Sequence, residues 1–423
     1  MSFFLRASIG ARSLLVIAIT TSYLALPVAA QSTANAPTGV TASTASISIG
    51  EAFQLALAQQ PWRLGASERQ RELQSREALA DSWLADSPTI ASGLKTGNRD
   101  GARELEVEIS APIATASRRS LQRASVRGES SVYTANLAQL SLKLAGEVRD
   151  AYWAVQLAAS ELVLADDEVK RSEVVAADSA RRTAAGDSAR VDTLQADLNV
   201  QTLRSTRVEV EQRLLVARQV LRGLIGDAAS RGLSDRAEAR DGSAQQIRDE
   251  HPALLLATQT SQLARAKLSE ASGLTNGAPT VSFALTNERS NGGGNASTAR
   301  IGISVPFGGS QRAAPRIAQA SAELAEAQAS IPLQRQHLQA EAASAQAAVT
   351  SAERRISALT ERERLANEVA TLYAKAYRLG ELDLPTRLRA EGERANASLA
   401  LSRARIELKH AISRVNQSLG LLP

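Results

Sequence analysis

Glu104, Glu106 and Glu108 alternate with Leu105, Val107 and Ile109. A period of two puts three carboxylates on one face of a strand and three aliphatic side chains on the other. The acids have no histidine or second acid at catalytic spacing, so the chemistry they offer is electrostatic: attracting cations and holding water, on a membrane strand or on the solvated edge of a hairpin. Arg300 belongs to another alternating run, Arg300-Ile301-Gly302-Ile303-Ser304-Val305. More charges follow two glycines: Asp187 and Asp192 after Gly186, and Glu381, Asp383 and Arg387 after Gly380. As separate capping and surface charges these contribute little each. His251, His337 and His410 make no metal-ligand spacing, and Gly292-Gly293-Gly294 lacks the Lys-Ser/Thr of a phosphate loop. No motif calls for a cofactor or a bound metal, or marks the chain as an enzyme.

The elements that carry these residues occur twice. Pro61, Pro88, Pro112, Gly186 and Gly226 recur in order as Pro252, Pro279, Pro306, Gly380 and Gly420, offset by 191 (61 to 252, 88 to 279) and then 194 (112 to 306, 186 to 380, 226 to 420). A fixed period identifies a duplicated unit. The first copy spans 47–226 and the second 246–423, with a polar linker or small added element at 227–245.

In the first copy Ser48 and Glu51 are spaced as a capping box for a helix running to about Ala85 with a bend at Pro61. Alternation then predicts a strand around Ile90 to Leu94 and another over Glu104–Ile109. No proline interrupts 117–185, and Leu137, Leu140, Leu144, Val148, Tyr152 and Val155 recur at helical spacing. A helix of that length spans on the order of 100 Å and needs partners along its whole course. Gly186 suits its C-terminal cap, Asp187 or Ser188 the next N-cap, and a return helix runs from about Ala189 to Ile225. The second copy predicts a helix from about Gln246 to Ala271, strands over Thr280–Leu285 and Arg300–Phe307, and a long helix from about Gln311 to Leu379. Pro332 inside it predicts a kink or a break, and a return helix ends at Leu419.

Arg6 and Arg12 precede the apolar run Leu14–Leu26, which ends in Pro27-Val28-Ala29-Ala30. Residues 1–30 therefore read as a secretory signal, too short in its apolar part for a membrane span, and 31–46 as a mobile leader. Aromatic residues make up 3% and cysteine is absent, so neither an aromatic-rich globular core nor a disulfide framework is available. The net charge of +5 is spread over 49 basic and 44 acidic residues, without the basic tail that nucleic acid would need. If the four strands span a bilayer, they close only by joining strands of other copies, because every backbone polar group there must be paired.

The order helix, strand, loop, strand ending in proline, very long helix, glycine turn, return helix, all duplicated, resembles the TolC-like outer-membrane efflux channel family. The resemblance rests on Ile49-Gly50-Glu51-Ala52-Phe53-Gln54-Leu55-Ala56-Leu57 through Gln60-Pro61, on His251-Pro252-Ala253-Leu254, on Ile303-Ser304-Val305-Pro306-Phe307 and on Tyr377-Arg378-Leu379-Gly380. It implies a mainly α homotrimer whose strands form a twelve-stranded β-barrel in the outer membrane of a Gram-negative bacterium, continuous with a helical barrel in the periplasm. It further implies an exit duct fed by an inner-membrane efflux transporter through a periplasmic adaptor protein. Leu105, Val107, Ile109, Val281, Phe283, Ile301, Ile303 and Val305 would then face lipid, and Glu104, Glu106, Glu108, Arg300 and Ser304 the lumen. The turns at Gly186 and Gly380 would form the periplasmic aperture, with Asp187, Asp192, Glu381, Asp383 and Arg387 making mixed ion pairs that keep it closed. Asp192 stands six residues after its glycine, where the family tends to carry an acid, whereas the second copy departs with Thr386. The short 95–103 loop resembles the heavy-metal branch, which implies metal cations or small toxic compounds as cargo. With one methionine and no cysteine the chain offers no soft-metal ligands of its own. A periplasmic coiled-coil adaptor or scaffold is the rival reading, since it too combines a signal with long hairpins; matched membrane-length strands distinguish the duct.

Overall fold

The capping box at Ser48 forms as spaced: its hydroxyl accepts from Glu51 N at 3.2 Å, and Glu51 Oε2 accepts from Ser48 N at 2.9 Å. Residues 46–97, 103–240, 247–289 and 294–423 are described in this computed structural model. The signal at 1–30, nearly all of the leader at 31–46, residues 98–102 and 290–293 of the two strand loops and residues 241–246 lie outside the described residues.

The first helix is three helices: α1 (Ile49–Ala58), α2 (Pro61–Leu64) and α3 (Ala66–Ala80). Pro61 has no N–H to donate and holds Gln60 extended at ψ 125°, so the helix stops and restarts on the proline. β1 (Thr89–Thr96) and β2 (Arg103–Pro112) follow, then α4 (Ala116–Ala185), 70 residues long, and α5 (Arg190–Ile225). The second half repeats the order with α6 (Pro252–Gly273), β3 (Thr280–Arg289), β4 (Asn295–Ser304), α7 (Ser310–Leu379), again 70 residues, and α8 (Leu384–Ser418).

Several boundaries differ from the sequence reading. α6 starts at Pro252 rather than near Gln246, capped by the imidazole of His251, whose Nδ1 accepts from Ala253 N at 3.2 Å. β4 lies earlier than expected and ends at Ser304, opposite Thr280, because Pro279 and Pro306 cannot extend the ladder. Neither Asp187 nor Ser188 caps α5. The Asp187 amide closes the end of α4 on Arg182 O at 2.8 Å, the Ser188 hydroxyl meets Thr183 Oγ1 at 2.9 Å, and Ala189 takes the N-cap position. α7 runs without a break through Pro315 and Pro332, packed along its course against α6 and then α8.

The helices lie in four columns. α4 packs against α3 and α5 on one side and against α6 and α8 on the other, and α6 and α8 in turn pack against α7. The sheet has the same order, β1-β2-β3-β4, all antiparallel, so each strand continues one helical column. The main core gathers where α1, α4, α5 and α8 meet, around Phe53, Val148, Tyr152, Trp153, Leu221 and Ile225. Trp153 donates to Ser413 Oγ at 2.9 Å. The segment 227–240 is an added element rather than a bare linker. A short 3-10 turn (Gly226–Ser230) leads into an extended strap in which Leu233 pairs with Ile47 in parallel, and Tyr152 reaches Ile47 O at 2.8 Å and Ser234 O at 2.6 Å. Burial pushes the Tyr152 phenol up to about 12.

Candidate functional site

In an antiparallel ladder, directly paired residues point to the same face. Glu108 is opposite Ala91 and Ala284, and Ala284 is opposite Arg300; Glu106 is opposite Gly93 and Thr286; Glu104 is opposite Lys95 and Glu288; Ser304 is opposite Thr280. The register therefore brings Glu104, Glu106, Glu108, Arg300 and Ser304 onto one face. Arg300 reaches across β3 to Glu106 Oε1 at 2.8 Å, and Lys95 meets Glu104 at 3.3 Å. The other face carries Leu105, Val107, Ile109, Val281, Phe283, Ile301 and Ile303 together with Ile90, Leu94 and Leu285, which the sequence reading did not assign to it. Val305 falls just beyond the end of β4 and is exposed. Apolar side chains on it stand bare in the single chain, with Ile301 77% and Ile90 75% exposed. β1 and β4 are the two edges of the sheet, and each leaves its outer backbone groups without a ladder partner among the described residues.

At the far end of the columns the two hairpins turn on Gly186 (φ 82°) and Gly380 (φ 80°), each a left-handed C-cap that a side chain would strain. Tyr377, one turn before Gly380, is buried with Val175, Ala176, Ala196, Val200 and Leu384, which joins the two hairpins. Two guanidinium groups lie against its ring, Arg182 and Arg387, each 4.8 Å from the centroid. Asp178 Oδ2 serves both arginines, at 3.4 Å from Arg182 and 3.9 Å from Arg387. Arg182 also donates to Tyr377 O and Arg378 O, both at 3.2 Å, and so caps the end of α7.

This clasp is not the set of ion pairs expected from the sequence. Asp187, Asp192 and Glu381 make no ion pair among the described residues, Asp383 caps α8 by accepting from Thr386 N at 3.2 Å, and Arg387 pairs with Asp178 instead. The Thr386 hydrogen bond holds the Asp383 carboxyl below the usual range. Asp187 and Glu381 are exposed beside their glycines, and Asp192 lies in the first turn of α5, where the helix dipole favours an acid. Asp178, Arg182 and Tyr377 were missed. Their one signal was position, within three to eight residues of the two turn glycines.

Residues 85–227 match the outer membrane efflux protein family, a stretch from the start of β1 through β2 and α4 to the end of α5. A membrane protein from Pseudomonas aeruginosa superposes with a TM-score of 0.72 at 18% identity, over 88% of this chain and 93% of that one. The outer membrane protein VceC from Vibrio cholerae gives 0.71 at 14%, over 88% and 96%. The chain has the fold of the outer-membrane efflux channels. The open state of the Neisseria gonorrhoeae MtrE outer membrane channel gives 0.68 at 16%, over 88% and 89%. No curated protein matches in sequence. Among the described residues no helix is long and apolar enough to cross a membrane.

Proposed function

We propose that the chain is the outer-membrane exit duct of a tripartite efflux system, exported by the signal at 1–30 and passively conducting metal cations or small toxic compounds. An inner-membrane transporter delivers the cargo through a periplasmic adaptor, so the duct itself needs no catalytic residue. The observation that carries this reading is the sheet: one face bears a band of exposed Leu, Ile, Val and Phe side chains, the other bears Glu104, Glu106, Glu108 and Arg300, and both edges are open among the described residues. A bilayer covers the apolar face, and other copies of the chain satisfy the edges. Three copies give twelve strands, and at 10 residues β2, β3 and β4 have the length a tilted membrane strand needs, with β1 shorter at 8.

The helices support the same closure. α5 and α7 flank the lower part of the layer, and each leaves an exposed seam at coiled-coil spacing: Val191, Leu194, Leu198, Val208 and Leu215 on α5, and Leu365, Val369, Leu372 and Leu379 on α7. Seating α5 of one protomer on α7 of the next is a heterologous contact that closes into a ring, in step with β1 meeting β4. The charged face of the sheet then lines the lumen with Glu104, Glu106, Glu108 and Arg300. Three copies of the Asp178–Tyr377 clasp surround the aperture, each beside its own Asp187, Asp192 and Glu381. An adaptor that competes for Asp178 or Tyr377 releases one hairpin from the other.

Because the chain has no cysteine, single cysteines placed along residues 104–109 report their own surroundings. In membranes holding the assembled protein, a water-borne maleimide that enters the lumen is expected to label positions 104, 106 and 108 and to spare 105, 107 and 109. Uniform labelling of all six positions contradicts the duct and favours a soluble scaffold.

A further inference from the structure

The rim where the sheet meets the helices is fixed by the last ladder pairs, Thr89 with Ser110 and Thr280 with Ser304. Bulky side chains stand uncovered there: Phe307 is 93% exposed, Trp83 62% and Val305 61%. Next to them, the opening turns of both long helices are basic. α4 begins Ala116-Ser117-Arg118-Arg119 and α7 begins Ser310-Gln311-Arg312, with Arg316 a turn later, and neither first turn holds an acid. The positive end of a helix dipole disfavours cations. Several other helix starts carry an acid, with Glu51, Glu68 and Asp192 in the first turns of α1, α3 and α5 and Asp383 capping α8, although α5 itself opens on Arg190 and the first turn of α6 holds none.

Two of the four arginines are held by carbonyls, and none is neutralised by an ion pair among the described residues. Arg118 donates to Asn276 O at 3.2 Å, and Arg316 to Leu274 O at 2.7 Å and Ala271 O at 3.3 Å, all carbonyls. Arg119 has a buried Nε without a partner, and Arg312 is exposed with no ion pair among the described residues. Acids stand near some of them: Asp81 is engaged by Arg123 at 3.2 Å, and Glu270 and Glu323 line one cavity with Arg316 and Lys267, yet no ion pair joins any of the four arginines to an acid among the described residues.

We propose that this rim is a collar for anionic lipid headgroups, with phosphatidylglycerol-type phosphates held by Arg118, Arg119, Arg312 and Arg316 while Phe307, Val305 and Trp83 sit at the boundary between headgroups and acyl chains. The proposal rests on the reading of β1–β4 as membrane strands, since that reading puts the rim at the periplasmic leaflet. Guanidinium is the cation best matched to a phosphate, aromatic side chains favour the interface, and the apolar side chains next to the arginines favour a lipid over a free anion.

Native mass spectrometry of the delipidated trimer, titrated with phosphatidylglycerol or phosphatidylcholine, tests the collar. Each arginine near an anionic headgroup is worth roughly fivefold in lipid partition. The wild type is expected to retain phosphatidylglycerol preferentially, and R119Q/R312Q, which leaves the carbonyl contacts of Arg118 and Arg316 intact, to lose roughly twenty-five-fold of that preference. R119K/R312K should restore most of it. Equal retention of both lipids by the wild type, an unchanged preference in R119Q/R312Q, or full competition by inorganic phosphate overturns the collar. A wild type that forms discrete channels in planar bilayers yet shows no lipid preference loses the collar alone; one that inserts in no bilayer loses the barrel and the collar together.

Discussion

Replacing Glu238 with alanine should loosen the strap between the two repeats without unfolding the columns. Arg149 is 1% exposed and is held by both oxygens of Glu238 at 3.0–3.2 Å, by Gln417 Oε1 at 2.5 Å and by Leu421 O at 3.0 Å. Removing the carboxylate leaves a buried cation without its counter-charge, a defect that costs about 3–5 kcal/mol. Gln417 and the Leu421 carbonyl remain, so the lower end applies, about 3 kcal/mol, or roughly a hundredfold in the opening equilibrium. The amides that report it are Ile47, which donates to Gly232 O at 2.8 Å, and Ser234, which donates to Ile47 O at 2.9 Å. Hydrogen exchange should speed up at both by about two orders of magnitude in E238A, while amides in the middle of α4 hold their rates. The double replacement R149M/E238L removes both charges and should return the strap close to wild type, since an apolar pair of similar volume often substitutes for a buried ion pair. If strap exchange in E238A stays within a factor of about two of wild type, the pair does not fasten the strap and the reasoning fails.

Three further outcomes follow from the geometry. His251 caps α6 as an acceptor, and burial holds its imidazole below the ordinary value of about 6.5. The unfolded chain therefore binds the extra proton first, and stability present above that pH is lost as pH falls through it toward the lower folded value. Thermal unfolding followed from pH 8 to pH 5 should show this fall, and H251N, which keeps an acceptor without titrating, should flatten it. At the tip, D178N and R387A each weaken the hold on Tyr377, so both should raise single-channel conductance or opening frequency, and identical traces in both variants remove the clasp from gating. In the barrel, E106Q withdraws one carboxylate per protomer from the charged face and frees Arg300, so the cation-to-anion permeability ratio should drop, and an unchanged reversal potential would mean that Glu106 does not face the lumen.

The strands and long helices were legible because each depends on one repeated local signal: alternation at Glu104–Ile109, proline-free helical spacing from 117 to 185, and glycines that need positive φ at Gly186 and Gly380. Boundaries drifted where the deciding contact was distant. The end of β4 depends on Thr280 across the sheet, and the start of α6 on an imidazole cap that resembles no common capping residue. Breaks were misjudged in both directions. Pro61 stopped a short helix of 10 residues, whereas Pro332 sits within a 70-residue helix packed along α6 and α8, which outweighs one lost hydrogen bond. The clasp and the strap were not legible. Asp178 and Tyr377 are 199 positions apart in a duplicated chain (178 to 377), and Arg149 looks like any helix arginine until Glu238 is laid over it. Acids counted from the tip glycines drew attention to Asp187, Asp192 and Glu381, yet a helix terminus already favours charges of that sign there, so their presence carried little information about pairing.

The central claim is that three copies of this chain close a barrel in the outer membrane and conduct. Expression of the full chain in a Gram-negative host, membrane fractionation, and the mass and planar-bilayer conductance of the detergent-purified material test it together. The account predicts a trimer from the outer membrane that gives discrete conductance steps. A periplasmic monomer or dimer without conductance would contradict it and return the chain to the scaffold reading.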